Sequence, residues 1–130
     1  MPQRDFSYNK KEKLKSRKAL EQLFTKGKSF SVFPVKVFYM PMTDAMDHPV
    51  NVGVGVSARN FKKATDRNRI KRLLRECYRL NKLSLNTLVS AKQTQLAVFF
   101  LYIGKELPDY VLLTEKMQAA LKRLEENIAR

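Results

Sequence analysis

The sequence predicts a small α/β protein of the α+β kind, a single-domain sandwich with element order α-β-β-(β)-α-β-α and a basic helix as the crossover of a β-α-β unit. Three observations carry that expectation. Val50, Val52, Val54 and Val56 alternate strictly with Asn51, Gly53, Gly55 and Ser57, the two-residue period of a strand with one buried face. Leu96 to Ile103 is apolar at every position, as in a strand interior to a sheet and covered on both sides. Between them Ile70, Leu73, Leu74, Cys77 and Leu80 gather on one side of a helix at ~100° per residue. A chain of 130 residues, 44% hydrophobic, suits one domain with a packed core.

In chain order, residues 1–13 are polar and basic and are expected to be a flexible N-terminus, with the folded domain spanning 14–130. Ser16 is suited to cap a helix whose apolar stripe is Ala19, Leu20, Leu23 and Phe24. Gly27 is placed to close that helix as a left-handed cap. Lys28 to Pro41 reads as extended chain, which Pro34 either splits or marks as an edge. Val35, Val37 and Tyr39 share one face of it; Lys36, Phe38 and Met40 share the other. Residues 43–49 form a polar loop. The valine face of the next strand belongs to the core, but Gly53 and Gly55 leave its other face almost bare. That face is either a shallow trough open to a ligand or a seat for a tightly packed helix. Beyond the basic helix, residues 83–94 read as a connector with a helical turn at 86–91. Thr114 is expected to open a last helix with the stripe Met117, Ala120, Leu121, Leu124 and Ile128.

The basic helix concentrates the charge. Arg59 to Lys82 holds ten cations against Asp66 and Glu76, in a chain whose formal charge is +14 and whose pI is about 10.1. Lys71, Arg75, Asn68, Arg72 and Arg79 lie opposite the apolar stripe. Arg67 and Tyr78 fall near one border of the two faces, and Arg69 near the other. A one-sign ladder repels itself by a few tenths of a kcal/mol per i,i+4 pair. A face so poor in acids implies a polyanionic partner.

Other classes are disfavoured. No signal segment opens the sequence and no run approaches the ~20 apolar residues of a membrane span, so a cytoplasmic protein without a membrane partner is expected. One cysteine excludes an intrachain disulfide and suits a reducing compartment. The single histidine, His48, lies in a loop without zinc-ligand spacing. Cys77 sits on the apolar side of the helix as a small core residue. The glycines lie inside a strand, not in a phosphate-binding loop. No constellation for hydrolysis by the protein itself is visible.

Asp66-Arg67-Asn68-Arg69-Ile70-Lys71-Arg72-Leu73-Leu74-Arg75-Glu76, preceded by a glycine-containing strand ending Val56-Ser57, resembles the signature of the bacterial ribonuclease P protein component. The resemblance extends over nearly the whole chain, from the helix ending Phe24-Thr25-Lys26-Gly27 to the last helix. It implies an α/β sandwich with a left-handed β-α-β crossover, and a chain that assembles with a catalytic RNA without needing a protein partner. In such an assembly the RNA subunit and substrate hold the Mg²⁺ ions, and the RNA removes the 5′ leader of precursor tRNA by hydrolysis. The protein helps to hold the leader, so the chain would be the protein subunit of a ribonucleoprotein endoribonuclease, and residues 14–130 its RNA-binding domain.

By position, the resemblance implies that Arg67, Asn68, Arg69, Lys71, Arg72 and Arg75 face the RNA. Arg59, Lys62 and Lys63 are secondary candidates, because the loop from Ala58 to Lys63 is about one residue longer than the family pattern and lacks its glycine, and Arg79 is a further secondary candidate. Leu20, Phe24, Phe38, Gly53, Gly55 and Ser57 map to a leader cleft. Leu20 departs from the aromatic type common at its position, and Phe38 is chosen over Tyr39 because it shares the glycine side of the sheet. Aromatic faces stack on single-stranded bases regardless of sequence while cations track phosphates, which suits a leader of variable sequence. The alternative is a ribosomal or other structured-RNA-binding protein without a role in catalysis. A DNA-reading helix would follow a turn and a partner helix, not a strand.

Overall fold

The computed structural model describes residues 17–42 and 49–129. The expectations for residues 1–13, for the Ser16 cap and for His48 fall outside them. Helix α1 (Arg17–Lys26) buries Ala19 and Leu23 and leaves Leu20 half-buried. Its end differs from expectation. Gly27 has no positive φ, so it is not a left-handed cap. Its N–H donates to the Leu23 carbonyl at 3.0 Å, and a Cβ there would collide with that carbonyl and reach the Tyr39 carbonyl at 3.1 Å. Glycine lets the helix end approach the sheet closely.

Strands β1 (Lys28–Val32) and β2 (Val35–Met42) form an antiparallel hairpin closed by Phe33 and Pro34, so the proline splits the extended stretch in two. Strand β3 (Val50–Val56) leads into helix α2 (Ala64–Asn81) and helix α3 (Leu83–Ala91), which together cross over to strand β4 (Gln95–Tyr102). The sheet order is β1-β2-β4-β3, with β2 and β4 antiparallel and β3 and β4 parallel. α3 is a full helix where a connector with one turn was expected. Leu85 and Val89, one turn apart, are buried, but Ser84, Asn86, Thr87 and Ser90 blur the stripe. Helix α4 (Tyr110–Ala129) begins at Tyr110 rather than Thr114, its first turn closed by the Leu113 N–H on the Asp109 carbonyl at 2.9 Å. Val111 and Leu112, apolar yet exposed, hide that start from a periodicity argument.

The core lies on one face of the sheet. Val35, Val37, Val50, Val52, Val98 and Phe100 meet Ile70, Leu74, Cys77 and Tyr78 of α2, Leu85 and Val89 of α3, and Leu113, Met117, Ala120 and Leu124 of α4. On the opposite face a second cluster joins Ala19 and Leu23 of α1 to Ala97, with Leu20, Phe38, Met40, Met42 and Phe99 around it. The sequence suggested a β4 covered on both sides. In fact α1, ten residues long, lies mainly over β2 and β4, and Phe99 and Leu101 stay half-buried. That face of the sheet is partly open.

Candidate nucleic-acid interface

α2 is held by burial on one side and presents cations on the other. Ile70, Leu74, Cys77 and Tyr78 are fully buried, and the Tyr78 ring packs 5.8 Å from Phe100. The buried stripe is therefore rotated from the expected one: Tyr78 moves from the border into the core, and Leu80 is 43% exposed. Asn68, Arg69, Arg72 and Arg75 are exposed, and Lys71 is half-buried. None of these four cations has an acidic partner among the described residues.

Arg79 differs. Its guanidinium bonds both oxygens of Glu76, Nε to Oε2 at 3.2 Å and Nη2 to Oε1. Those hydrogen bonds, with the attraction of the opposite charge, hold the Glu76 carboxyl below its usual range and raise Arg79. One end of the ladder is thus neutralised within the protein.

Arg67 is half-buried and turned inward, its Nη1 donating at 2.8 Å to each of the carbonyls of Phe61 and Lys62. The loop it grips is well tied. The N–H groups of Asn60 and Phe61 both reach the Ser57 carbonyl at 3.2 Å, and the Asn60 side-chain amide donates to the carbonyls of Ile103 (3.3 Å) and Gly104 (3.2 Å). Phe61 is buried 6.0 Å from the Tyr102 ring. Ser57, half-buried, donates its N–H to Tyr102 at 3.4 Å. Arg59, Lys62 and Lys63 are left exposed on the outside of this turn.

On the partly open sheet face, Phe24 is 48% exposed and meets Phe38 edge-on at 5.0 Å and Phe99 at 5.1 Å. The Lys36 ammonium lies 5.1 Å from the Phe38 ring centre. Gly53 pairs with Phe99 across the parallel ladder, and the Phe99 ring covers Gly55 so closely that a Cβ there would stand 2.6 Å from it. The bare glycine face is filled by a neighbouring aromatic, and α1 leaves that aromatic half-buried. Leu20 flanks the cluster as an aliphatic side chain. Phe99 was missed by sequence reasoning. Its signal lay in the β3–β4 register, which puts it beside the glycines, and a strand apolar on both faces does not disclose that.

Cys77 is core, as expected. Burial pushes its thiol up in pKa, against a 3.5 Å contact between its Sγ and Thr114 Oγ1 that favours the thiolate. Among the described residues no three His, Cys, Asp or Glu side chains gather as a metal site would require, and no helix is long and apolar enough to cross a membrane.

Comparison with known proteins follows the same line. The sequence profile of the Ribonuclease P family matches residues 8–125. The chain is 35% identical over 123 residues to a ribonuclease P protein component of Porphyromonas gingivalis, covering 95% of this chain and 90% of that one. It is 33% identical to that of Chlorobium phaeobacteroides, covering 94% and 88%. Among solved structures, the RNase P protein of Thermotoga maritima superposes with a TM-score of 0.66 at 26% identity over 86% of this chain and 96% of that one. That of Staphylococcus aureus shares the fold, with a TM-score of 0.70 at 17% identity over 87% and 94%.

Proposed function

The chain belongs to the ribonuclease P protein family, and from that premise we propose that it is the protein subunit of ribonuclease P, binding a catalytic RNA and the 5′ leader of precursor tRNA. One observation carries this reading: the outward face of α2 holds Asn68, Arg69, Lys71, Arg72 and Arg75 with no acid set against those cations among the described residues. Guanidinium forks are suited to bidentate phosphate contacts, and a helix face of fixed spacing suits a folded RNA read by backbone and shape.

The aromatic cluster of Phe24, Phe38 and Phe99 takes a separate part. Phe24 of α1 is exposed, Phe38 and Phe99 of the sheet are half-buried beside the Lys36 ammonium, and the three rings supply stacking surface for single-stranded bases with a charge for their phosphates. In this reading hydrolysis belongs to the RNA, and so does Mg²⁺. The described side chains do not fit a metal centre of the protein's own. The protein's contribution is to hold substrate and RNA together and so lower the Mg²⁺ concentration that cleavage requires.

The test is cleavage of precursor tRNA by the cognate RNA across a Mg²⁺ titration, with and without the protein. The protein alone should not cleave, the RNA alone should cleave at high Mg²⁺, and the pair should cleave at lower Mg²⁺. An unchanged Mg²⁺ requirement would return the chain to a structured-RNA binder outside catalysis. Cleavage by the protein without RNA would overturn the assignment of hydrolysis.

A further inference from the structure

Within the signature helix one arginine stands apart from the others. Arg67 spends its Nη1 on two successive carbonyls, Phe61 and Lys62, at 2.8 Å each. It does so in the first helical turns, where a cation opposes the helix dipole and gains nothing from it. No side-chain cap holds the N-terminus of α2, since Lys63, its N-cap, forms no capping bond. The turn before the helix exposes Arg59, Lys62 and Lys63, and two of these flank or carry the carbonyls that Arg67 grips. The turn is also pinned from its other side by Asn60 on the end of β4 and by the buried Phe61 ring.

We infer that Arg67 is a positioning residue: it acts on RNA through the turn at 57–63, holding Arg59, Lys62 and Lys63 as a preformed cationic element continuous with the helix face. This rests on the RNA-binding reading above and deepens it. A guanidinium suits the role because one nitrogen carries two N–H groups in a fixed plane, one for each carbonyl. A lysine keeps the charge and loses that fork. The inference divides the signature by work, with Arg69, Arg72 and Arg75 pointing outward to the ligand and Arg67 pointing back into the chain.

Two measurements test it on the full chain. In the free protein, amide hydrogen exchange at Asn60 and Phe61 should accelerate about tenfold or more in Arg67→Met and Arg67→Lys, with α4 unchanged. With the cognate catalytic RNA, Arg67→Lys should weaken binding about tenfold although the net charge is kept. In a Lys62→Ala, Lys63→Ala background the same change should cost less than about twofold, because coupled residues are not additive. Loop exchange at the wild-type rate, or equal losses from Arg67→Lys in both backgrounds, would overturn the inference and make Arg67 a direct RNA contact. If the unaltered protein failed to bind the RNA, the RNA reading would fall and Arg67's role in RNA binding with it. The exchange data would still decide whether Arg67 holds the turn.

Discussion

Replacing Phe38 with alanine separates the sheet face from the helix face. Phe38 is half-buried, edge-on to Phe24 at 5.0 Å and beneath the Lys36 ammonium. Its aromatic pair contributes ~0.5–1.5 kcal/mol beyond burial. With partial loss of buried area, the fold should lose about 1–2 kcal/mol, short of the ~3–5 that a fully buried phenylalanine costs. The domain should therefore remain folded, which a thermal melt will show. If one leader base stacks on this cluster, its loss removes ~1–3 kcal/mol of binding, or roughly 5- to 150-fold in affinity. Three affinities are needed: protein for catalytic RNA, holoenzyme for precursor tRNA, and holoenzyme for mature tRNA. Only the second should fall. An equal fall for precursor and mature tRNA, or an unfolded protein, would make Phe38 a core residue and refute the leader assignment.

Three further outcomes follow from the charges and the core. Binding to the catalytic RNA should weaken with monovalent salt at a log–log slope of roughly −4 for ~5 neutralised phosphates, and a nearly flat slope would remove the α2 face as docking surface. Glu76→Gln should release Arg79 and strengthen RNA binding about two- to fivefold at low salt with thermal stability nearly unchanged, measured by titration and melting; weaker binding would show that the paired Arg79 geometry is itself needed. Folding raises the pKa of Cys77, so above about pH 8.5 the unfolded chain loses the thiol proton before the native state does. Stability is then intact below that pH and falls as pH rises above it. Tyr102, also raised by burial and by the charge of Glu106, adds its share only above about pH 10. Urea midpoints across pH 7–10 should decline in the native sequence and flatten in Cys77→Ala; the same decline in both would exclude the thiol as the source.

Strict periodicity was legible in the sequence, and contacts between distant segments were not. The valine alternation follows from local pattern and the four valines lie on the core side, though Val54 and Val56 are only half-buried and Asn51 is buried as well. Ile70, Leu74 and Cys77 of the expected α2 stripe are core, and Pro34, which the pattern left as a split or an edge, falls in the turn between β1 and β2. The finer azimuth of α2 does not follow from local pattern, because it depends on which side α4 and Phe100 occupy. Those partners draw Tyr78 inward and leave Leu80 at the surface. The starts of α3 and α4 are hidden for opposite reasons, one by polar residues inside the helix and the other by apolar residues that stay exposed. Arg67 looks in sequence like any other cation of the ladder. Its inward turn is set by carbonyls five and six residues earlier, whose direction only the folded loop fixes.

Whether such a ladder needs RNA in order to be helical is decided by magnitudes. Arg67–Lys71, Arg69–Arg72, Lys71–Arg75 and Arg72–Arg75 are like-charge neighbours, and at a few tenths each they cost at most about 2 kcal/mol. Against them, Ile70 and Leu74 are fully buried under the sheet, each contributing ~1.5–3 kcal/mol, and Tyr78 adds a further buried ring. Burial outweighs the repulsion, so α2 does not need RNA to offset the charge of its outward face. The consequence reaches the function: an interface whose helix is already formed before binding spends affinity on ordering its side chains but not its backbone. The sheet face is prepared in the same way, because with the main core on the valine side, Phe24, Phe38 and Phe99 are fixed by each other and by α1. Substitutions on the helix face should therefore change binding with little effect on folding, and those on the sheet face should lower stability without unfolding the domain, so the two surfaces can be tested one at a time.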